Sequence, residues 1–269
     1  SGSVDEQAYI KKLTSDVRVV SIVHTSPVTG MTVDLEKITK EVRNVTPDCI
    51  IIVDGIQHSS HGAIDVQKYD IDGYVVSPYK MFSRHGYGVA WASDRLCTLN
   101  KEQLADGPFQ NWELGTRDAG SYATFSDVVD YLDWLGSNFT ESENTRERLE
   151  ASSIAIKSHE QELVDLVING AEDIVGLRNN KKIRIIGNPA STSREGVVSF
   201  FHKNKPSRII VEELRQRKIR VHIRKDDHYC GNILRPLNQK DCIRFSICHY
   251  NSKAEVVEFM KAINEISTN

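Results

Sequence analysis

The chain has 269 residues, 39% of them hydrophobic and 26% charged, enough to bury the core of one large domain or two smaller ones. A net charge of −3 gives no reason to expect nucleic acid or an anionic membrane as partner. No apolar run approaches the roughly 20 residues of a membrane-spanning helix, and the polar start predicts no secretory signal. The five cysteines, Cys49, Cys97, Cys230, Cys242 and Cys248, are scattered, odd in number and without CxxC spacing. They predict reduced thiols in a cytoplasmic protein.

In chain order, Asp5 to Thr14 reads as a short helix on Ala8, Tyr9 and Leu13, and the β-branched run Val17 to Val23 as a strand. His24 to Gly30 is a loop at its carboxyl end, and Leu35, Ile38 and Val42 give Asp34 to Val45 helical spacing. The apolar runs Ile50 to Val53 and Tyr74 to Val76, bounded by turn residues, read as buried strands joined by a crossover. Tyr87 to Ala92 is a further strand, and residues 97 to 114, polar and containing Gly107-Pro108, form a loop. Asp118 to Leu135 is a helix with Phe125, Val128, Val129, Leu132 and Leu135 as its apolar face. Glu141 to Ile174 reads as one long charged helix with a narrower stripe of Leu149, Ile156, Leu163, Leu166 and Val167. After Asn179 the texture changes. Strand-like runs Ile183 to Ile186, Val197 to Phe201, Ile219 to Ile223 and Ile243 to Cys248 alternate with helices Ser207 to Arg217 and Lys253 to Ile266, a small α+β domain. This predicts an α/β chain of two domains, residues 1–178 with a bridging helix and residues 179–269.

The stretch from Asp54 to Lys80 carries the chemistry. In open parallel sheets ligands sit beyond the carboxyl ends of the strands, so Asp54 after one run and Lys80 after the next are expected in one crevice. An acid and an amine there suit pyridoxal 5'-phosphate (PLP). The lysine condenses with the aldehyde, and the acid keeps the pyridine nitrogen protonated so that the ring takes up electrons. Read alone, Lys80 is also a solvated strand end and Asp54 a helix N-cap.

The pieces His24-Thr-Ser-Pro-Val-Thr-Gly30, Asp54-Gly-Ile-Gln57, Ser77-Pro-Tyr-Lys80, Gly86-Tyr-Gly88, Glu113-Leu-Gly-Thr116 and Ile243-Arg-Phe-Ser-Ile-Cys-His-Tyr-Asn251 follow one another in an order that resembles the class V branch of PLP enzymes. That branch holds cysteine desulfurases, selenocysteine lyases and related aminotransferases and epimerases. The resemblance implies PLP-transferase fold type I (aspartate-aminotransferase-like), with a partial, mostly parallel large-domain sheet and a small C-terminal α+β domain. It also implies that the Tyr87 to Ala92 strand is antiparallel.

The same resemblance implies roles for single residues. Lys80 would be the Schiff-base lysine and Asp54 the pyridinium partner. Gln57 would touch the ring's phenolic oxygen, and Ser77 and Tyr79 the phosphate. Many desulfurases carry a His at the Tyr79 position; Tyr donates one hydrogen bond but brings no positive charge. Thr116 would reach the phosphate of a partner subunit's cofactor, implying a homodimer, although a plain turn explains Gly115-Thr116 equally well. Arg244, on an apolar strand where an unpaired guanidinium is costly, would grip the substrate α-carboxylate as a fork. Cys230, in Arg224-Lys-Asp-Asp-His-Tyr-Cys230-Gly, falls where desulfurases carry the thiolate that attacks the substrate sulfur. His228 and nearby cations favour a thiolate there, Asp226 and Asp227 oppose it, and the family's His-His-Cys-Ala pattern is absent, so an inert loop cysteine is the competing reading. Pro27 stands where many relatives have Asn, and His24, His58, His61 and His85 lack metal-site spacing.

The resemblance starts partway into the family's large domain, without its phosphate loop and stacking ring. A fragment, a truncated reading frame and a natural half working with another chain all fit, and Ser1-Gly-Ser3 suits either a cloning remnant or natural sequence. The expected function is a PLP-dependent, cysteine desulfurase-like enzyme that abstracts sulfur from cysteine, with a small amino acid as substrate and a possible sulfur-acceptor protein. The alternatives are an aminotransferase or epimerase without desulfurase activity, a non-catalytic PLP-fold fragment, and an unrelated α/β binding domain.

Overall fold

The computed structural model describes residues 2, 5–108, 111–112, 114–116, 118–171, 173–190 and 192–268. Ser1 and Ser3 of the N-terminal tripeptide, and Glu113 of the Glu113 to Thr116 motif, lie outside these residues. The chain divides into two compact units: Asp5–His24 with Val33–Ala155, and Thr25–Thr32 with Ile156–Asn269.

In the first unit, helix α1 (Glu6–Ile10) is capped by the Asp5 carboxylate, which accepts from Ala8 N. Strand β1 (Val19–Val23) follows, then α2 (Leu35–Val45), capped by Asp34 and burying Leu35, Ile38, Thr39 and Val42. Those positions recur at helical period and form one stripe. Strands β2 (Ile50–Asp54) and β3 (Gly73–Val76) complete a parallel set in the order β1-β2-β3. Strand β4 (Val89–Ala92) joins β3 antiparallel, as the resemblance implies. Val20, Ile22, Ile51 and Val53 alternate inward along β1 and β2 and meet the α2 stripe in one core. The crossover between β2 and β3 contains only a 3-10 turn, His58–Ser60. Strand register pairs Val23 with Asp54 and Asp54 with Val75, so the three carboxyl ends are level.

Helix α3 (Asp94–Cys97) follows β4, and its Arg95 meets Asp72, a buried carboxylate that also accepts from Arg43 Nη2 and from Ile51 N. Asp72 thereby ties α2, β2 and α3 to the start of β3. Helix α4 (Ala119–Gly136) spans the predicted segment, but of its five expected apolar-face residues only Val128 is buried. Apolar side chains ring the helix instead of forming a stripe, and Tyr122, Tyr131 and Trp134 are exposed. Gly136 lets α4 approach helix α5 (Thr145–Asn169): a Cβ there would fall 1.9 Å from Arg148 O. Helix α5 is shorter than the predicted Glu141 to Ile174. Asn144 Oδ1 caps its start on Glu147 N. Gly170 ends it at φ +84, where a Cβ would clash with Ile174 O, and the chain turns into the hairpin β5 (Gly170–Ala171) and β6 (Ile174–Val175).

The second unit holds the antiparallel sheet β7-β8-β10-β9, from β7 (Ile183–Ile185), β8 (Val197–His202), β9 (His222–Lys225) and β10 (Asp241–Ser246). Helix α6 (Ser207–Gln216), the short α7 (Gly231–Leu234) and α8 (Lys253–Thr268) complete it. Leu163, Val167, Phe200, Ile210, Ile243 and Phe259 form its core. Strand β9 starts three residues later than expected because Lys218, at φ +62, closes α6 and Ile219 N still bonds Leu214 O. The chain reaches the pairing register with β10 only at His222.

Candidate active site

The candidate site residues of the first unit lie at or just past the level carboxyl ends of β2 and β3. Asp54 closes β2, half-buried, with Oδ1 accepting from Ile56 N at 3.0 Å, an Asx turn that redirects the chain. Gly55 is required at this bend: a Cβ would lie 2.1 Å from the Tyr74 ring. Gln57, three residues on, is buried, and Lys80 Nζ donates to its Oε1 at 3.0 Å. Lys80 lies on the 3-10 turn Pro78–Met81 that follows β3 and is closed by Phe82 at φ +72. An amine, an amide and a carboxylate from neighbouring strand ends thus share one corner of the unit.

Next to them lies a set of contacts that sequence reasoning left without a role. Gln57 Nε2 lies 3.0 Å from His61 Nε2. His24 stacks on His58 with centroids 3.6 Å apart, and His24 Nδ1 is 2.9 Å from Tyr74 Oη. The grouping of His24, His58 and His61 near strand ends was legible; their partners were not, because β-sheet register and side-chain direction decide those contacts.

The proposed phosphate ligands follow β3. Ser77 precedes the 3-10 turn and makes no side-chain capping bond to it. Tyr79 is exposed and stacks on His85, centroids 4.4 Å apart. Thr116 is exposed, in the irregular segment before α4.

Arg244 and Cys230 belong to the second unit. Arg244 lies in the middle of β10, opposite His222 on β9 and Ser199 on β8, and its Nη1 donates to Pro27 O at 3.0 Å. The Thr25–Thr32 segment that presents this carbonyl is held by Arg194, which sequence reasoning passed over. Arg194 is fully buried and donates to the carbonyls of Thr29, Val197 (3.2 Å) and Ile186 (3.0 Å). Burial pulls its pKa down to about 10. Cys230 is fully buried at the start of α7, packed with Val28, Ile186, Phe201, Leu234 and Cys242. Burial, then the Asp227 carboxylate, push its thiol above the usual range, the reverse of the shift that makes a thiolate nucleophile.

A profile of the Aminotransferase class-V family matches residues 1–259. The chain belongs to the class-V aminotransferase family. Among curated relatives, the aminotransferase-like protein FGM3 of Gibberella zeae is 26% identical over 98% of this chain and 62% of its own length. A probable cysteine desulfurase of Treponema pallidum is 23% identical over 98% of this chain and 63% of its own. Among solved structures, the apo cysteine desulfurase of Thermococcus onnurineus superposes with a TM-score of 0.78 at 20% identity, covering 99% of this chain and 64% of that one. The Escherichia coli desulfurase CsdA gives a TM-score of 0.74 at 21% identity, over 97% and 62%. The fold is therefore the one these structures share, and the chain spans 62 to 64% of the length of these relatives. Among its described residues, no helix is long and apolar enough to cross a membrane.

Proposed function

We propose that this chain serves a PLP-dependent enzyme acting on an α-amino acid, cysteine desulfurase-like, with sulfur abstraction from cysteine as the leading reaction. The observation that carries this reading is the bond from Lys80 Nζ to Gln57 Oε1, three residues past Asp54, at adjoining carboxyl ends of parallel strands. The donor set fits PLP. Lys80 brings an amine, Gln57 a neutral amide, and Ser77 and Tyr79 hydroxyls for the phosphate. Asp54 brings a half-buried carboxylate whose Oδ2 makes no hydrogen bond among the described residues.

When bound, PLP supplies an aldehyde that condenses with amines and a ring that takes up an electron pair. Lys80 Nζ would anchor it and would carry the substrate α-proton. Asp54 Oδ2 would hold the proton on the ring nitrogen. Gln57 Nε2 has two hydrogens, one toward His61 and one for the phenolic oxygen. Arg244 takes the substrate carboxylate with its fork of donors, Thr116 serves the neighbouring subunit's phosphate in a homodimer, and a separate protein accepts the sulfur. The exposed Tyr122, Tyr131 and Trp134 support self-association, and five free cysteines fit a reducing cytoplasm.

A second reading is transamination or epimerisation without sulfur chemistry. It is favoured by the burial of Cys230 and the raised pKa of its thiol. Adding PLP to the purified protein should produce visible absorbance that shifts on borohydride reduction and is absent in Lys80→Ala. No spectral change on adding PLP overturns the enzymatic reading. Sulfide release from cysteine, lost in Cys230→Ala, selects desulfuration; turnover of an amino acid without sulfide selects the second reading.

A further inference from the structure

We propose that His61 is a positioning residue that fixes the Gln57 side chain with its carbonyl oxygen toward Lys80. The inference rests on the reading that Lys80 and Gln57 belong to the active site, and it follows from the directionality of a three-member chain.

An ammonium only donates, so Lys80 Nζ at 3.0 Å demands an acceptor, and Gln57 Oε1 is the atom it meets. A primary amide has one oxygen and one nitrogen. With Oε1 toward Lys80, Nε2 points to His61 Nε2 at 3.0 Å. The amide nitrogen only donates, so His61 Nε2 must be the acceptor and carry no proton. His61 is then a neutral imidazole with its hydrogen on Nδ1. Gln57 and His61 are both buried, and a buried amide that loses a partner bears its full desolvation cost. The imidazole therefore selects one of the two amide orientations.

Local covalent structure supports the same assignment. Gln57 and His61 are the residues that flank the 3-10 turn His58–Ser60, where His61 N bonds His58 O, and their side chains meet across it. Gly62 is compelled by the same packing, since a Cβ there would fall 2.5 Å from the His58 ring. An amide turned the other way would present N–H groups to the Lys80 amine and an oxygen to His61. It would also withdraw the second N–H from the phenolic oxygen of PLP. Sub-ångström placement of this kind governs turnover more than binding.

The test compares His61→Phe, which keeps a ring and removes the acceptor, with His61→Gln, which restores an acceptor at similar reach. In the cofactor-free protein, nitrogen-15 NMR of the His61 ring should show Nε2 without a proton and Nδ1 with one. The Gln57 side-chain amide resonances, identified by their loss in Gln57→Ala, should shift in His61→Phe and return toward the wild-type position in His61→Gln. In the PLP-loaded protein, His61→Phe should lower kcat by roughly 10- to 100-fold with KM for the amino acid little changed, and His61→Gln should recover most of it. A proton on His61 Nε2, or identical behaviour of the Phe and Gln variants, overturns the inference. If the protein takes up no PLP, the functional proposal fails, and the nitrogen-15 measurement alone still decides the role of His61.

Discussion

Lys80 and Gln57 are 23 residues apart in sequence and joined by a 3.0 Å hydrogen bond, part-buried, across the ends of two parallel strands. The acceptor in this bond is a neutral amide. Gln57→Glu would put a carboxylate at the same distance and favour the charged form of Lys80. An amine must be neutral to attack an aldehyde. The variant should therefore acquire visible absorbance about 10-fold more slowly after PLP addition at neutral pH, with the difference shrinking as pH rises. Stopped-flow or manual mixing at several pH values measures this.

Asp72 predicts an acid-labile first unit. Burial raises its pKa, but bonds from Arg95, Ile51 N and Arg43 outweigh burial and hold it below the ordinary carboxylate value. A depressed folded pKa means that the stabilisation is fully present above the unfolded pKa of about 4 and is lost as pH falls through the lower folded value. Urea midpoints should drop steeply below about pH 4 in the wild type. Asp72→Asn should flatten that limb and cost about 3 kcal/mol at pH 7 by leaving Arg43, which is nearly buried, poorly compensated.

Cys230 and Cys242 share one buried cluster. Burial, with smaller electrostatic contributions, pushes the Cys242 thiol up to about 12 and raises Cys230 as well. Both should resist a thiol reagent at pH 7 to 8 in the native protein, labelling at least about 10-fold more slowly than in urea. Mass spectrometry of the labelled peptides gives the rates. Rapid native labelling of Cys230 would instead support the nucleophile that desulfuration needs.

Arg194 satisfies three backbone carbonyls from different segments. Arg194→Lys supplies a charge but no fork and leaves acceptors buried without donors, at a cost of roughly 2–4 kcal/mol. Thermal unfolding should show the loss. The same change should weaken the Thr25–Thr32 segment whose Pro27 carbonyl meets Arg244.

What the sequence disclosed follows from how local each signal is. Runs such as Ile50 to Val53 and the Leu35, Ile38, Val42 stripe announce their elements because burial on a strand or helix leaves a short period. Asp54, directly after one such run, and Lys80, four residues past the end of the next, stand out as candidates for the same reason. The exposed face of α4 was misjudged because its apolar residues encircle the helix, so composition suggested more burial than packing delivers. The early end of α5 depends on Gly170 adopting a left-handed backbone, which a lone glycine in a helical pattern does not announce. Arg194 and His61 were overlooked as partners because their contacts are set by tertiary register, with no periodicity to mark them.

The central claim is that Lys80 is the covalent anchor for PLP. The most direct measurement is borohydride trapping of the PLP-treated protein followed by peptide mapping by mass spectrometry. The account predicts one phosphopyridoxyl group, on the peptide containing Lys80, and none in Lys80→Ala. A modification spread over surface lysines, or one that persists undiminished in Lys80→Ala, would contradict it.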